Sequence, residues 1–116
     1  MEQDEILYQK FITSKQEPVR LELALRGFFL RDGIAREQRK ALRDYLQRRI
    51  RPAAEALIKE DDLPKLRALE ELGWMDASVI EECLNTAIRL KKTEAFIWLL
   101  GVKTEKYGFQ DKNFEL

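Results

Sequence analysis

Apolar residues recur along most of the chain at the three- and four-residue spacing of an amphipathic helix. In the clearest case, Leu21, Leu25 and Phe28 follow one another at i, i+4 and i+7. The same spacing predicts helices over residues 4–12, 18–31, 35–49, 53–60, 63–72, 78–90 and 93–106. Only five glycines and three prolines occur in 116 residues, which favours helices joined by short connections over a many-stranded sheet. We therefore expect a single all-α domain, residues 1–116, of about six short helices.

Particular residues mark where these helices begin and end. Because the residue before a proline resists the α conformation, Arg51 is expected to be a boundary and Pro52 to open the next helix. One kinked helix running through Pro52 is the alternative. Gly73 is expected to stop the helix over 63–72, since glycine tolerates the left-handed conformation common after a helix. Ser78 and Glu81 have the spacing of a capping box at the start of the helix that follows.

A faint internal repeat links two parts of the C-terminal half. Residues 56–69 return as residues 86–99, an offset of 30 positions. The offset places Ile58 on Ile88, Leu66 on Phe96 and Leu69 on Leu99. Self-similarity at a period of about 20–50 residues indicates stacked supersecondary units, of which about three are usually needed for stability. We therefore predict two stacked antiparallel helical hairpins over residues 53–106, capped or extended by the helices of residues 1–50.

The last predicted helix is apolar around most of its circumference. Phe96 and Leu99 lie on one stripe, and Trp98 and Val102 lie on a second. A helix of this kind must be covered on more than one side. We expect the tail, residues 107–116, to pack back over the second stripe with its apolar residues Tyr107, Phe109, Phe114 and Leu116. The alternative is that Trp98 and its neighbours dock a partner or another copy of the chain.

Residues 53–103 resemble the helical hairpins of the ankyrin repeat family. In residues 62–73 a pair of leucines precedes a closing glycine, as in the second helix of an ankyrin unit. Residues 93–100 resemble that helix more closely, with a Thr-Glu start and paired leucines. The resemblance implies a protein-binding scaffold without catalytic activity.

The composition removes most catalytic chemistry. The chain contains no histidine, which excludes Ser-His-Asp and Cys-His nucleophiles and histidine zinc sites. Its single cysteine, Cys83, falls on an apolar helical stripe with Ile80 and Ile88, so we predict a buried small hydrophobe. Adjacent carboxylates, such as Glu81 and Glu82, point about 100° apart on a helix and are poorly placed to share a metal. We therefore expect no enzyme activity, no cofactor and no metal.

Location is predicted from the same composition. A lone cysteine fits a reducing compartment, and the acidic first residues, 1–5, are unlike a secretory signal. No apolar run approaches the roughly 18 residues that a membrane span needs. The cytoplasm is therefore the expected location, with no membrane partner.

One cluster of basic residues predicts a class of ligand. The net charge of the chain is zero, but cations cluster between residues 36 and 51. Four of them share one helical face: Arg36, Arg39, Lys40 and Arg43. Arginine binds phosphate and carboxylate groups in a bidentate manner, so this face predicts nucleic acid or an acidic partner as ligand. A solvated face neutralised by neighbouring acidic residues is the structural alternative.

Two functional hypotheses follow. The first is a protein–protein interaction module, binding a protein of unknown identity or a second copy of the chain. Its contact surface is expected on the exposed side of the first helix of each hairpin, or at two exposed aromatic residues. The candidates are Glu55, Lys59, Asn85 and Arg89 on the helices, and Trp74 and Trp98 as the aromatics. The second hypothesis is nucleic-acid binding through the basic face at residues 36–51.

Overall fold

The computed structural model describes residues 2–30 and 34–108. Over these residues the chain is all-α, with seven helices and no strand. The helices are α1 (Glu2–Thr13), α2 (Glu17–Phe28), α3 (Arg36–Arg48), α4 (Ile50–Lys59), α5 (Leu63–Glu71), α6 (Ala77–Arg89) and α7 (Thr93–Val102), and a π turn (Lys103–Tyr107) follows α7. The all-α prediction is confirmed, although the described helices number seven rather than about six. None of them is long and apolar enough to cross a membrane.

The chain divides into two compact units, an N-terminal unit of residues 1–53 and a C-terminal unit of residues 54–116. The boundary falls inside α4, beside the predicted start of the repeat at residue 53.

The helix break near Pro52 lies two residues earlier than predicted. Arg49 leaves the helical conformation, with φ −122° and ψ 36°, and α4 already begins at Ile50. In a continuous helix the ring of Pro52 would clash with the carbonyl four residues before it, that of Arg48. The turn at Arg49 removes that clash and leaves Pro52 in the first turn of α4, where no N–H is needed. The expected boundary at Arg51 was therefore wrong.

In the N-terminal unit α1 packs on α2, and α2 packs on α3. Their core contains Phe11, Leu25, Leu42 and Leu46, all buried. Gly27 allows the helices to approach closely, since a Cβ atom there would lie 2.9 Å from Cδ1 of Leu42. Helix α2 ends at Phe28, three residues before its predicted end.

A polar cluster joins α2 to α3 beside this core. The Tyr45 hydroxyl donates to Oε1 of Glu17 at 2.9 Å, and Nε of Arg49 donates to the same oxygen at 3.1 Å. The Arg49 guanidinium also lies over the Tyr45 ring, 4.1 Å from its centroid. The hydrogen bond from Tyr45 lowers the pKa of Glu17, ahead of the charges of Arg49 and Arg20. Burial, and then the bond to Glu17, raises the pKa of Tyr45.

In the C-terminal unit the two hairpin turns have the same backbone conformation, 30 residues apart. Asp61 and Lys91 both adopt the left-handed conformation, each with φ 59°. The N–H of Asp62 donates to the carbonyl of Leu57 at 2.9 Å, and the N–H of Lys92 donates to that of Ala87 at 2.8 Å. These are the bonds of a Schellman motif, which satisfies the last carbonyls of α4 and of α6. The two turns therefore share one backbone conformation at the 30-residue offset.

The connection between the hairpins is set by two caps. Helix α5 ends at Glu71 with Leu72 as its C-cap, and Gly73 follows with φ 81°, as predicted. Helix α6 begins at Ala77, because Asp76 accepts a hydrogen bond from the backbone N–H of Val79 at 2.9 Å. The predicted capping box of Ser78 and Glu81 was wrong, since Ser78 already lies inside the helix.

The π turn brings the end of the described chain back toward α6. The Tyr107 hydroxyl donates to the carbonyl of Met75 at 2.8 Å, and Gly108 follows with φ 66°. This bond ties Tyr107 to the connection before α6, while packing of the tail over the second stripe of α7 stays a prediction. The other tail residues of that prediction, Phe109, Phe114 and Leu116, lie outside the described residues.

Candidate functional site

Three side-chain contacts join the first hairpin (α4 and α5) to the second (α6, α7 and the π turn). Thr86 on α6 donates to Oε2 of Glu55 on α4 at 2.6 Å. Lys92 in the second turn pairs with Asp61 in the first, with 2.8 Å between Nζ and Oδ2. Glu70, a buried carboxylate on α5, accepts from Lys106 in the π turn. The two hairpins are therefore held side by side along their length.

The last of these contacts compensates a buried charge. The bond to Glu70 raises the pKa of Lys106, against the smaller opposing effect of desolvation. A buried carboxylate without such a partner would destabilise the fold. Among the described residues no buried side-chain polar atom lacks a hydrogen-bond partner.

Glu55 belongs to this internal contact and does not lie on the free surface predicted for it. Its side chain is only partly exposed and bonds to Thr86. The bond to Thr86 ties this side of α4 to α6. Glu55 is therefore less exposed than predicted, and its role as a partner contact stays a prediction.

The other three candidates on the first helices are exposed. Lys59 lies near the end of α4, and Asn85 and Arg89 lie on α6, one turn apart. Lys59 and Arg89 are equivalent positions in the 30-residue repeat. We call Lys59, Asn85 and Arg89 the first-helix surface.

The two tryptophans are less available than predicted. Trp74 and Trp98 are both half-buried. Trp74 lies in the connection between α5 and α6, and Trp98 lies on α7, three residues after the buried Ala95. The large exposed apolar side chains of α6 and α7 are instead Ile88, Ile97 and Leu100, with 59%, 63% and 37% of their area exposed. The predicted inward position of Ile88 was wrong.

The basic face of α3 retains three of its four cations. Arg36, Lys40 and Arg43 are exposed, whereas Arg39 is half-buried. The Arg39 guanidinium donates to the carbonyl of Phe28 at 2.7 Å and to that of Leu30 at 2.6 Å. These carbonyls lie at the end of α2, so Arg39 caps that helix in the way that cations stabilise helix C-termini.

Two observations concern metal-ligating and thiol side chains. No group of three or more histidine, cysteine, aspartate or glutamate residues in the described part of the chain could hold a metal ion. Cys83 is fully buried, as its place on the apolar stripe predicts.

Comparison of the chain with protein-family models, with curated proteins and with solved structures finds no match. The resemblance to ankyrin hairpins therefore rests on the residues of this chain alone.

Proposed function

We propose that the chain is a non-enzymatic scaffold of the helical-repeat type, related to the ankyrin hairpins it resembles, which binds another protein. The observation that carries the proposal is the pair of identical Schellman turns 30 residues apart, joined by Asp61 and Lys92. Hairpins stacked in this way form an extended, rigid surface on which residues of successive units align. Such surfaces bind proteins without needing a catalytic pocket.

The first-helix surface is the contact we propose. Lys59 and Arg89 occupy the same position in consecutive hairpins, and the bond between Glu55 and Thr86 places their helices side by side. Two cations and the amide of Asn85 on neighbouring helices suit an acidic stretch of a protein partner. The lone buried Cys83 agrees with a cytoplasmic location, which is part of this proposal.

The test is affinity capture from the source cells with the intact chain, followed by a direct binding measurement with the purified captured protein. The double variant Lys59→Glu and Arg89→Glu should weaken that binding by about tenfold or more, because it reverses both charges. The matched control is Arg36→Glu with Arg43→Glu on α3, which should leave the affinity unchanged. Equal affinity of the first-helix variant and the parent chain would contradict the proposed surface.

Nucleic-acid binding through α3 is the alternative function. We rank it lower because Arg39 is engaged with the carbonyls of α2, which leaves three exposed cations on that face. If the alternative holds, DNA or RNA affinity should fall steeply between low and moderate salt, and Lys40→Ala with Arg43→Ala should flatten that dependence. Affinity that is insensitive to salt and to these substitutions would exclude it.

A further inference from the structure

The 30-residue repeat identifies a face of the second hairpin that is exposed, although the equivalent face of the first hairpin contacts a neighbouring hairpin. In the first hairpin, Glu55, Asp61 and Glu70 contact the second hairpin. Their equivalents 30 residues later are Asn85, Lys91 and Leu100, and all three are exposed. These positions face the place that a third hairpin would occupy.

Burial of the apolar residues shows the same asymmetry. Ile58 is one turn from Glu55 on the same side of α4 and is 1% exposed, whereas its equivalent Ile88 is 59% exposed. Leu66 is fully buried, whereas its equivalent Phe96 is only half-buried. The asymmetry does not extend to every equivalent pair, since Leu69 and Leu99 are both fully buried. The second hairpin thus carries the apolar side chains of a stacking face without the cover that the first hairpin has.

We call Asn85, Ile88, Lys91, Phe96 and Leu100 the open face. Ile88, Lys91 and Phe96 line one shallow groove beside the turn between α6 and α7. An apolar patch rimmed by charge is typical of a protein interaction site.

We propose that the open face docks a helical hairpin of a partner protein, which stacks on the second hairpin as the second stacks on the first. The inference rests on the proposed scaffold function and names its partner class. The partner residue equivalent to Lys92 would face Lys91, as Lys92 faces Asp61. Because a lysine stands where the first hairpin has an aspartate, the partner must carry a carboxylate at that position.

The position of that carboxylate agrees with helix capping. Residue 92 is the N-cap of α7, and its equivalent Asp62 caps α5 by accepting from the N–H of Lys65. Aspartate is among the best N-cap residues. A partner hairpin can therefore use one aspartate to begin its second helix and to pair with Lys91. Opposite Leu100, which replaces Glu70, the partner needs an apolar residue instead of the lysine found at residue 106.

The experiment measures the accessibility of the open face with a thiol reagent. The variant Ile88→Cys should react rapidly in the full chain, while the buried Cys83 of the parent chain gives the background. A second copy of residues 73–108 carrying Lys92→Asp and Lys106→Leu is then attached after residue 116 through a flexible Gly/Ser linker of about 20 residues. Such a tether supplies the hairpin at millimolar effective concentration, and labelling at position 88 should slow by about tenfold.

Two controls define the docking geometry. Labelling of Arg89→Cys should stay fast in the extended chain, because its equivalent Lys59 is exposed although the second hairpin is stacked beside it. Lys91→Glu should reduce the protection severalfold, and retaining lysine at position 92 of the attached copy should restore it. The proposal is overturned if labelling at position 88 is not slowed in the extended chain, or if Lys91→Glu does not change the labelling rate.

Other occupants of the open face give different results. If Ile88→Cys reacts slowly in the full chain and rapidly after deletion of residues 109–116, the tail covers the face. If labelling slows with protein concentration while sedimentation shows a dimer, a second copy covers it. Either result overturns this inference, whereas the scaffold function is judged separately by the Lys59→Glu and Arg89→Glu variant.

Discussion

The arginines of α3 and of its C-cap show how one residue type serves different purposes within the same unit. Arg39 caps the end of α2, Arg49 lies over the ring of Tyr45, and Arg36 and Arg43 are exposed. Arg36, Arg39 and Arg43 lie on one face of the helix by their spacing, and that spacing does not distinguish their roles. The carbonyls that Arg39 binds lie nine and eleven residues earlier in the chain, so only the packing of α3 against α2 reveals its role.

We predict that Arg39→Ala lowers the free energy of unfolding by about 1–2 kcal/mol, since it removes two charge-assisted hydrogen bonds to backbone carbonyls. Arg43→Ala, on the same helix but exposed, should change it by no more than about 0.5 kcal/mol. Urea denaturation of both variants at low salt checks the difference. Equal stabilities of the two variants would show that Arg39 does not cap α2 in solution.

The bond between Tyr45 and Glu17 predicts a pH dependence. The pKa of Glu17 is lowered in the fold, so its contribution to stability is present above its ordinary value of 4.5 and is lost as the pH falls through the folded value. The pKa of Tyr45 is raised, so its contribution is present below 10.0 and is lost as the pH rises through the folded value. The variant Tyr45→Phe should therefore differ most from the parent chain between these limits.

Denaturation of Tyr45→Phe and the parent chain across this range measures the effect. Their stabilities should converge as Glu17 becomes protonated in acid. A stability difference that stays constant from pH 3 to pH 7 would contradict the proposed bond.

At the scale of elements, the repeat in residue type placed the two hairpin turns, whereas their left-handed conformation came only from the structure. The repeat in residue type predicted equivalent hairpins, and the turns at Asp61 and Lys91 have the same φ and the same hydrogen bonds. Gly73 was predicted as a stop because left-handed backbone favours glycine. Asp76 was missed in favour of Ser78, because several polar residues near a helix start satisfy the same capping pattern and tertiary packing selects one.

The left-handed conformation of Lys91 predicts a stabilising substitution. A non-glycine residue pays a steric cost there, so Lys91→Gly should raise the free energy of unfolding by about 0.5–1 kcal/mol. Lys92→Gly, one residue later at φ −96°, should instead be destabilising, because it gains no steric relief and loses the ion pair with Asp61. Thermal unfolding of both variants provides the comparison, and a loss of stability in Lys91→Gly would argue against this turn geometry.

At the scale of the whole molecule, equivalent residues of the two hairpins differ in what covers them. Ile58 and Ile88 are the same residue type at the same position of the repeat, yet one is buried and the other exposed. Sequence periodicity assigns both to an inward stripe, because it reports the helix phase and carries no information about which unit is last in the stack. Equivalent polar residues on the first helices differ in the same respect. Glu55 bonds to Thr86, whereas its equivalent Asn85 is exposed.

This asymmetry predicts unequal costs for one substitution. Ile58→Ala should lower the free energy of unfolding by about 2–4 kcal/mol, because it leaves a cavity in a packed interior. Ile88→Ala should cost about 0.5 kcal/mol or less in the isolated chain. Urea denaturation of the pair is the measurement. Similar costs at the two positions would mean that Ile88 is covered in solution.

The sequence by itself determined the helical class, the approximate position of the helices and the 30-residue repeat, because these depend on local spacing and on glycine and proline conformation. It also determined that Cys83 is buried, since that residue lies on an apolar stripe facing its own hairpin. Only the tertiary structure decided which polar residues are used inside the fold, among them Arg39, Glu55 and Glu70. It also decided that Ile88 and Leu100 of the second hairpin are exposed, because burial depends on neighbours distant in the chain and is not encoded in the helical phase of a residue.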